Sequence, residues 1–167
     1  MRIKTLQVLI GLFVVTTFFG VGCDDGKSEN VCSERLRQIE KMEGQLFDAS
    51  ETADASLRSA LMTAYAEFSN DCHASEQTPE FLFRRADLLR SAGQYQEAMT
   101  QLRDIHDHYK DFEKRPICAF LVGFIAEVEL NDREQARKTY EQVIELHPKS
   151  SAAIWAQQSI GNLDLVP

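Results

Sequence analysis

What the chain has little of already narrows its fold and its chemistry. Proline occurs four times in 167 residues, and from Val31 onward glycine appears only at positions 44, 93, 123 and 161. Sheet-rich folds need turn residues every ~8–12 positions and alternating polar and apolar runs. Neither is present. A surplus of bases is also missing: the net charge is −8. All 26 acids follow residue 23, and setting aside Arg2 and Lys4 leaves 16 of the 18 bases against them, a balance of −10. Such a surface repels phosphate, which excludes nucleic acid and anionic lipid as partners of the folded part. Catalytic and cofactor signatures are lacking as well. There is no His-Glu-x-x-His, no Cys-x-x-Cys, no glycine-rich phosphate loop and no nucleophile–base pair. His106 and His108 are two apart and point to different sides of a helix, and the adjacent Cys72-His73 reads as a loop pair, so no metal or cofactor site is expected.

The first 23 residues lack acids altogether. Arg2 and Lys4 precede a nearly unbroken apolar stretch, Leu6 to Val21, that ends in Gly20-Val21-Gly22-Cys23 and a polar run. A basic start, an apolar middle and small residues at the end make residues 1–22 an export signal. The small residues before Cys23 resemble the lipobox of bacterial lipoproteins, although Gly20 stands where leucine is usual. That resemblance implies acylation of Cys23, with more than one chain, as stable anchoring requires. Residues 23–30 then form the lipidated cysteine and a flexible polar tether. The folded domain is expected over 31–167, held to a membrane through the lipid only. The expected location is the bacterial cell envelope, on the outer membrane facing the periplasm.

Beyond the tether, apolar residues recur at helical spacing. Ala60, Ala98 and Ala136 are 38 residues apart, and each opens a stripe on one helix face: Ala60, Ala64, Phe68; Ala98, Leu102, Ile105, Tyr109; Ala136, Tyr140, Val143. Before two of these stripes comes another helix and a turn. Thr78-Pro79-Glu80 supplies an N-cap, a first-turn proline and an acid facing the dipole, and Gly93 ends that helix. Asn131 stands in place of glycine in the next unit, Asp132 with Gln135 forms a capping box, Pro148 ends the helix after it, and Ser150 opens a last short one. The unit is helix–turn–helix, repeated.

These residues resemble the tetratricopeptide family. Residues 79–112 carry its ladder as Ala86, Gly93 and Ala98; residues 117–150 carry Gly123, Ala136, Tyr140 and Pro148. Ala119 to Leu163 also looks like small repeat lipoproteins of bacterial envelopes. The resemblance implies an all-α fold, a short α-solenoid of about six helices with residues 150–160 as its capping helix. It implies a non-enzymatic scaffold for protein–protein interaction in envelope assembly or maintenance, or alternatively a pilotin-like chaperone for a secretion or pilus component. The partner, a peptide or helix, is expected in the groove lined by the first helix of each unit. Repeat register puts Glu80, Phe83, Asp87 and Arg90 there from one unit, and Cys118, Leu121, Ile125 and Val128 from the next. Residues 150–160, through Ile154 with Trp155 or Ile160, are the competing cover for Leu121 and Ile125. Finally, Cys32 begins the first helix and Cys72 follows the second. Those ends are neighbours in an antiparallel hairpin, so in an oxidising compartment either a disulfide or two free thiols is open to them, with Cys118 unpaired.

Overall fold

The computed structural model describes residues 25–48 and 55–165. The export signal and Cys23 therefore lie outside the described residues. Within them the chain is all helix: α1 (Asp25–Asp48), α2 (Ala55–Asp71), α3 (Thr78–Ser91), α4 (Tyr95–His108), α5 (Arg115–Phe124), α6 (Arg133–Leu146) and α7 (Ser151–Leu165). Each helix packs on its sequence neighbours, and α7 also reaches back to α5. This is the layout of a short solenoid, with seven helices where about six were expected.

α1 begins six residues before Val31, so residues 25–30 are helical rather than a flexible tether. A segment too polar to build a core can still extend a helix nucleated further along, because propagation adds a hydrogen bond without a new nucleus. The apolar side of α1 is Cys32, Leu36, Ile39, Met42 and Leu46, at spacings of three and four. Only Ile39 is buried outright.

Two cores result. The larger runs from Ala86 and Leu89 through Ala98, Met99, Leu102 and Ile105 to Val122, Ile125, Ala136, Tyr140, Val143, Ala156 and Leu163. The smaller joins Ile39, Leu61, Tyr65, Phe68, Cys72 and Phe81. Ala98 and Ala136 are fully buried, and so is Phe68 of the first stripe, but Ala60 is exposed and α2 turns Leu61 and Tyr65 inward instead. The reason is size: Leu61 and Tyr65 bury far more apolar area than Ala60 and Ala64 would.

The boundaries follow local chemistry. Gly93 and Asn131 both have positive φ, 76° and 53°, closing α3 and the second unit's first helix. Asp132 accepts from the Gln135 amide at 3.0 Å, and Ser150 Oγ accepts from the Ala153 amide at 3.2 Å. Thr78 departs from its expected capping role. Its side chain is fully buried and donates to the Cys72 carbonyl at 2.7 Å, leaving α3 without a side-chain cap. Gly123 lets α5 and α6 approach, since a Cβ there would stand 2.6 Å from the Tyr140 ring. Past Phe124 the helix widens into a π turn, Ile125–Glu129, closed by the Leu130 amide bonding the Ile125 carbonyl at 3.1 Å.

Candidate functional site: a cleft between the first helices

A cleft of about 430 Å³ opens between α1 and α3, floored by Leu61 and Tyr65 of α2 and bounded by Lys114, the residue preceding α5. Its apolar surface comes from Leu46, Leu61, Phe83 and Leu88, with Phe47 at its edge. Phe47 is 89 % exposed. Glu43, Glu80, Arg84, Asp87 and Lys114 supply the charges. The residues expected in a groove from one unit, Glu80, Phe83 and Asp87, thus do line one. They do so because residues three and four apart share one face of α3.

The charges are organised around Glu80 and Glu43. Glu80 accepts from Arg84 Nε at 3.1 Å, a one-turn pair, and from Lys114 Nζ at 2.7 Å across the gap to α5. Glu43 of α1 accepts from Arg84 Nη1 and from the Tyr65 hydroxyl, both at 2.6 Å. Burial works against the Glu80 charge, but the hydrogen bonds from Lys114 and Arg84 outweigh it and hold the carboxyl below its ordinary range. Burial, then the bond to Glu43, pushes the Tyr65 phenol well above its usual value. Lys114 Nζ also sits 5.0 Å over the Phe83 ring, whose edge meets Phe112.

Arg90 stands further along α3 and turns to other work, donating to Asp87 at 3.2 Å and to Glu129 of the π turn at 3.3 Å. The second set divides. Cys118 and Ile125 are fully buried, Leu121 is half-buried against the core, and Val128 is 56 % exposed. None of the four lines the cleft. The α-helical count assumed that residues three and four apart share a face; the π turn, with its wider i→i+5 bonding, rotates Val128 away from Ile125. Ile125 cannot meet a partner. The expected cover holds in part, since α7 packs on α5 and Ile160 is half-buried against the core. Ile154 and Trp155 remain exposed, Trp155 touching Phe120 edge-on at 5.6 Å, while Ala152, Ala153, Ala156 and Leu163 are the residues α7 buries.

Cys32 and Cys72 are bonded, with Cα atoms 5.7 Å apart, within disulfide reach. Cys118 is free and buried, and burial pushes its thiol up to about 12. Glu43, Tyr65, Arg84 and Lys114 were not anticipated. The Glu80–Arg84 spacing of four was a visible signal; Glu43 and Arg84, 41 residues apart, left none. Among the described residues no group of three or more His, Cys, Asp or Glu is placed to hold a metal ion, and no helix is long and apolar enough to cross a membrane.

No curated protein matches the chain. The tetratricopeptide repeat family model matches residues 80–111 and 120–150, so α3–α4 and most of α5–α6 are similar to tetratricopeptide repeats.

Proposed function

We propose that this chain is a lipid-anchored scaffold of the bacterial cell envelope that docks a protein partner in the cleft between α1 and α3. Repeats of this family are protein-interaction modules, typically non-catalytic, and the cleft is the observation that carries the docking. Its bases are engaged already: Arg84 by Glu43 and Glu80, Lys114 by Glu80. Acceptor capacity remains, because each carboxylate has about four lone-pair sites, and the Asp87 side chain is 63 % exposed. The fitting occupant is an amphipathic helix or extended peptide that seats apolar side chains on Phe83, Leu46 and Phe47 and presents a basic edge to Asp87. Anchoring rests on the sequence, on the leader and Cys23.

Two measurements test this. Partner capture from solubilised membranes should fall at least tenfold for Asp87→Lys combined with Phe83→Ala, in protein whose circular dichroism is unchanged. Val128→Ala, outside the cleft, should capture as the parent does. Equal capture by all three rejects the cleft. Separately, Cys23→Ser should leave an unprocessed precursor without acyl label, and a labelled variant rejects the anchor.

A further inference from the structure

His106 at the end of α4 and His147 at the end of α6 meet through their Nε2 atoms at 2.9 Å. Their ring centroids are 5.2 Å apart with the planes at 85°. That separation is what two rings touching head-on reach, so the N–H of one points along the lone pair of the other. A hydrogen bond of this kind needs one proton between the two nitrogens. Asp107 Oδ1 lies 2.8 Å from His106 Nδ1, which places a proton there and leaves His106 Nε2 as acceptor from His147 while both rings are neutral.

One added proton does not break the contact. With three protons on the four ring nitrogens, one ring carries both N–H groups and donates through Nε2 while the other, protonated at Nδ1, accepts. A second proton leaves N–H facing N–H between two cations. The charged surroundings on α5 favour that rupture, since Arg115 Nε is anchored on the His106 carbonyl at 2.6 Å. Beside His106 a cleft of about 250 Å³ is edged by Arg103 and Asp107 from α4, and from α6 by the uncharged side chains of Thr139, Gln142, Val143 and Leu146. Burial, His106 and Arg115 all hold His147 below its ordinary pKa.

We infer that His106 and His147 form a proton-controlled latch between consecutive repeats, closed with no or one added proton and opened by the second. Opening frees the C-terminal turns of α4 and α6 from one another and loosens the stack at that edge. The two titrations belong to the pair, not to either ring.

The test is amide hydrogen exchange on the full chain at pH 7 and pH 5, corrected for intrinsic rates, read at residues 105–109 and 143–147. The wild type should open on acidification by about tenfold for each unit by which the pair's last proton lies below the ordinary histidine value. His147→Gln keeps an N–H donor without a charge and should stay closed at both pH values. His147→Ala should be open at both. His73→Gln and His108→Gln should behave as wild type. If His147→Gln opens with acid as much as wild type does, or if His147→Ala exchanges at pH 7 like wild type, the latch is rejected.

Discussion

The two halves of this molecule solve the same problem differently. From α3 onward, helices stack in repeat register and bury one continuous core, with Ala98 and Ala136 fully covered and Gly123 admitting the Tyr140 ring. Among the described residues, the core beneath α1–α2 has only six buried members, and one of them, Phe81, is lent by α3. This unit adds cross-links instead: the Cys32–Cys72 bond, Arg35 reaching both Glu67 and Asp71, and Glu43 binding Tyr65 and Arg84. Small cores need such staples, because apolar burial alone barely offsets the entropy of ordering. The side of the cleft contributed by α1 therefore hangs on bonds that chemistry can break, while the α3 side hangs on packing.

If the halves differ in this way, variants should separate them. The largest effect is expected from Tyr140→Ala. Tyr140 is fully buried, stacks on Phe120 at 5.4 Å and donates to Glu127 at 2.7 Å. Loss of a buried ring costs about 3–5 kcal/mol, and hydrogen exchange should show α5–α7 opening while α1–α2 stays protected. Equal opening of both halves would mean one cooperative unit and no division. Next comes removal of the disulfide in a Cys32→Ser, Cys72→Ser double variant. A 40-residue separation corresponds to about 4 kcal/mol in the chain-entropy model. The loss should appear in α1–α2 and in partner capture, with the melting of α3–α7 nearly unchanged. Smaller again is Gly123→Ala, whose Cβ would displace the Tyr140 ring at a cost of about 1–3 kcal/mol. In a Tyr140→Ala background that penalty should vanish, as coupled neighbours require.

The same contrast decides what could be read from the sequence. Where register holds, helix faces, the Asp132 cap, and the positive-φ positions of Gly93 and Asn131 were legible, because local periodicity and capping are written in neighbouring residues. Alignment on Ala60 failed in α2, where no repeat partner fixes which face turns inward and the larger Leu61 and Tyr65 decide it. The flexible tether failed too, since polarity says what cannot be a core but not where a helix stops. Counting along the regular α3 helix put Glu80, Phe83 and Asp87 on one face, which lines the cleft, while Arg90 on the same count lies outside it. Counting through Ile125–Glu129 misplaced Ile125 and Val128, because nothing in a short apolar run announces a π turn. Pairs such as Glu43 with Arg84 or His106 with His147 form only when separate helices dock, and they have no local signature.

The smallest expected effect sharpens the comparison at the cleft, where the halves meet. Glu80 belongs to α3, yet its partner Arg84 also holds Glu43 of α1, so one carboxylate sits behind both walls. Its pKa is held below the ordinary value by Lys114 and Arg84, against burial. The sign follows directly: the charged form is favoured in the folded state, so the contribution is present above the unfolded value of 4.5 and is lost as pH falls through the folded one. Glu80→Gln removes that dependence. The Arg84 side chain is 42 % exposed and Lys114 40 %, so water screens both pairs and the stability change at pH 7 should be slight. Melting of wild type and variant should converge as pH drops from 6 to 3, with the gap closing in the acid range. A gap that stays constant over that range would show that the Glu80 carboxylate is not held by Lys114 and Arg84, and that the cleft owes its shape to the apolar contacts of Phe83 and Leu88 alone.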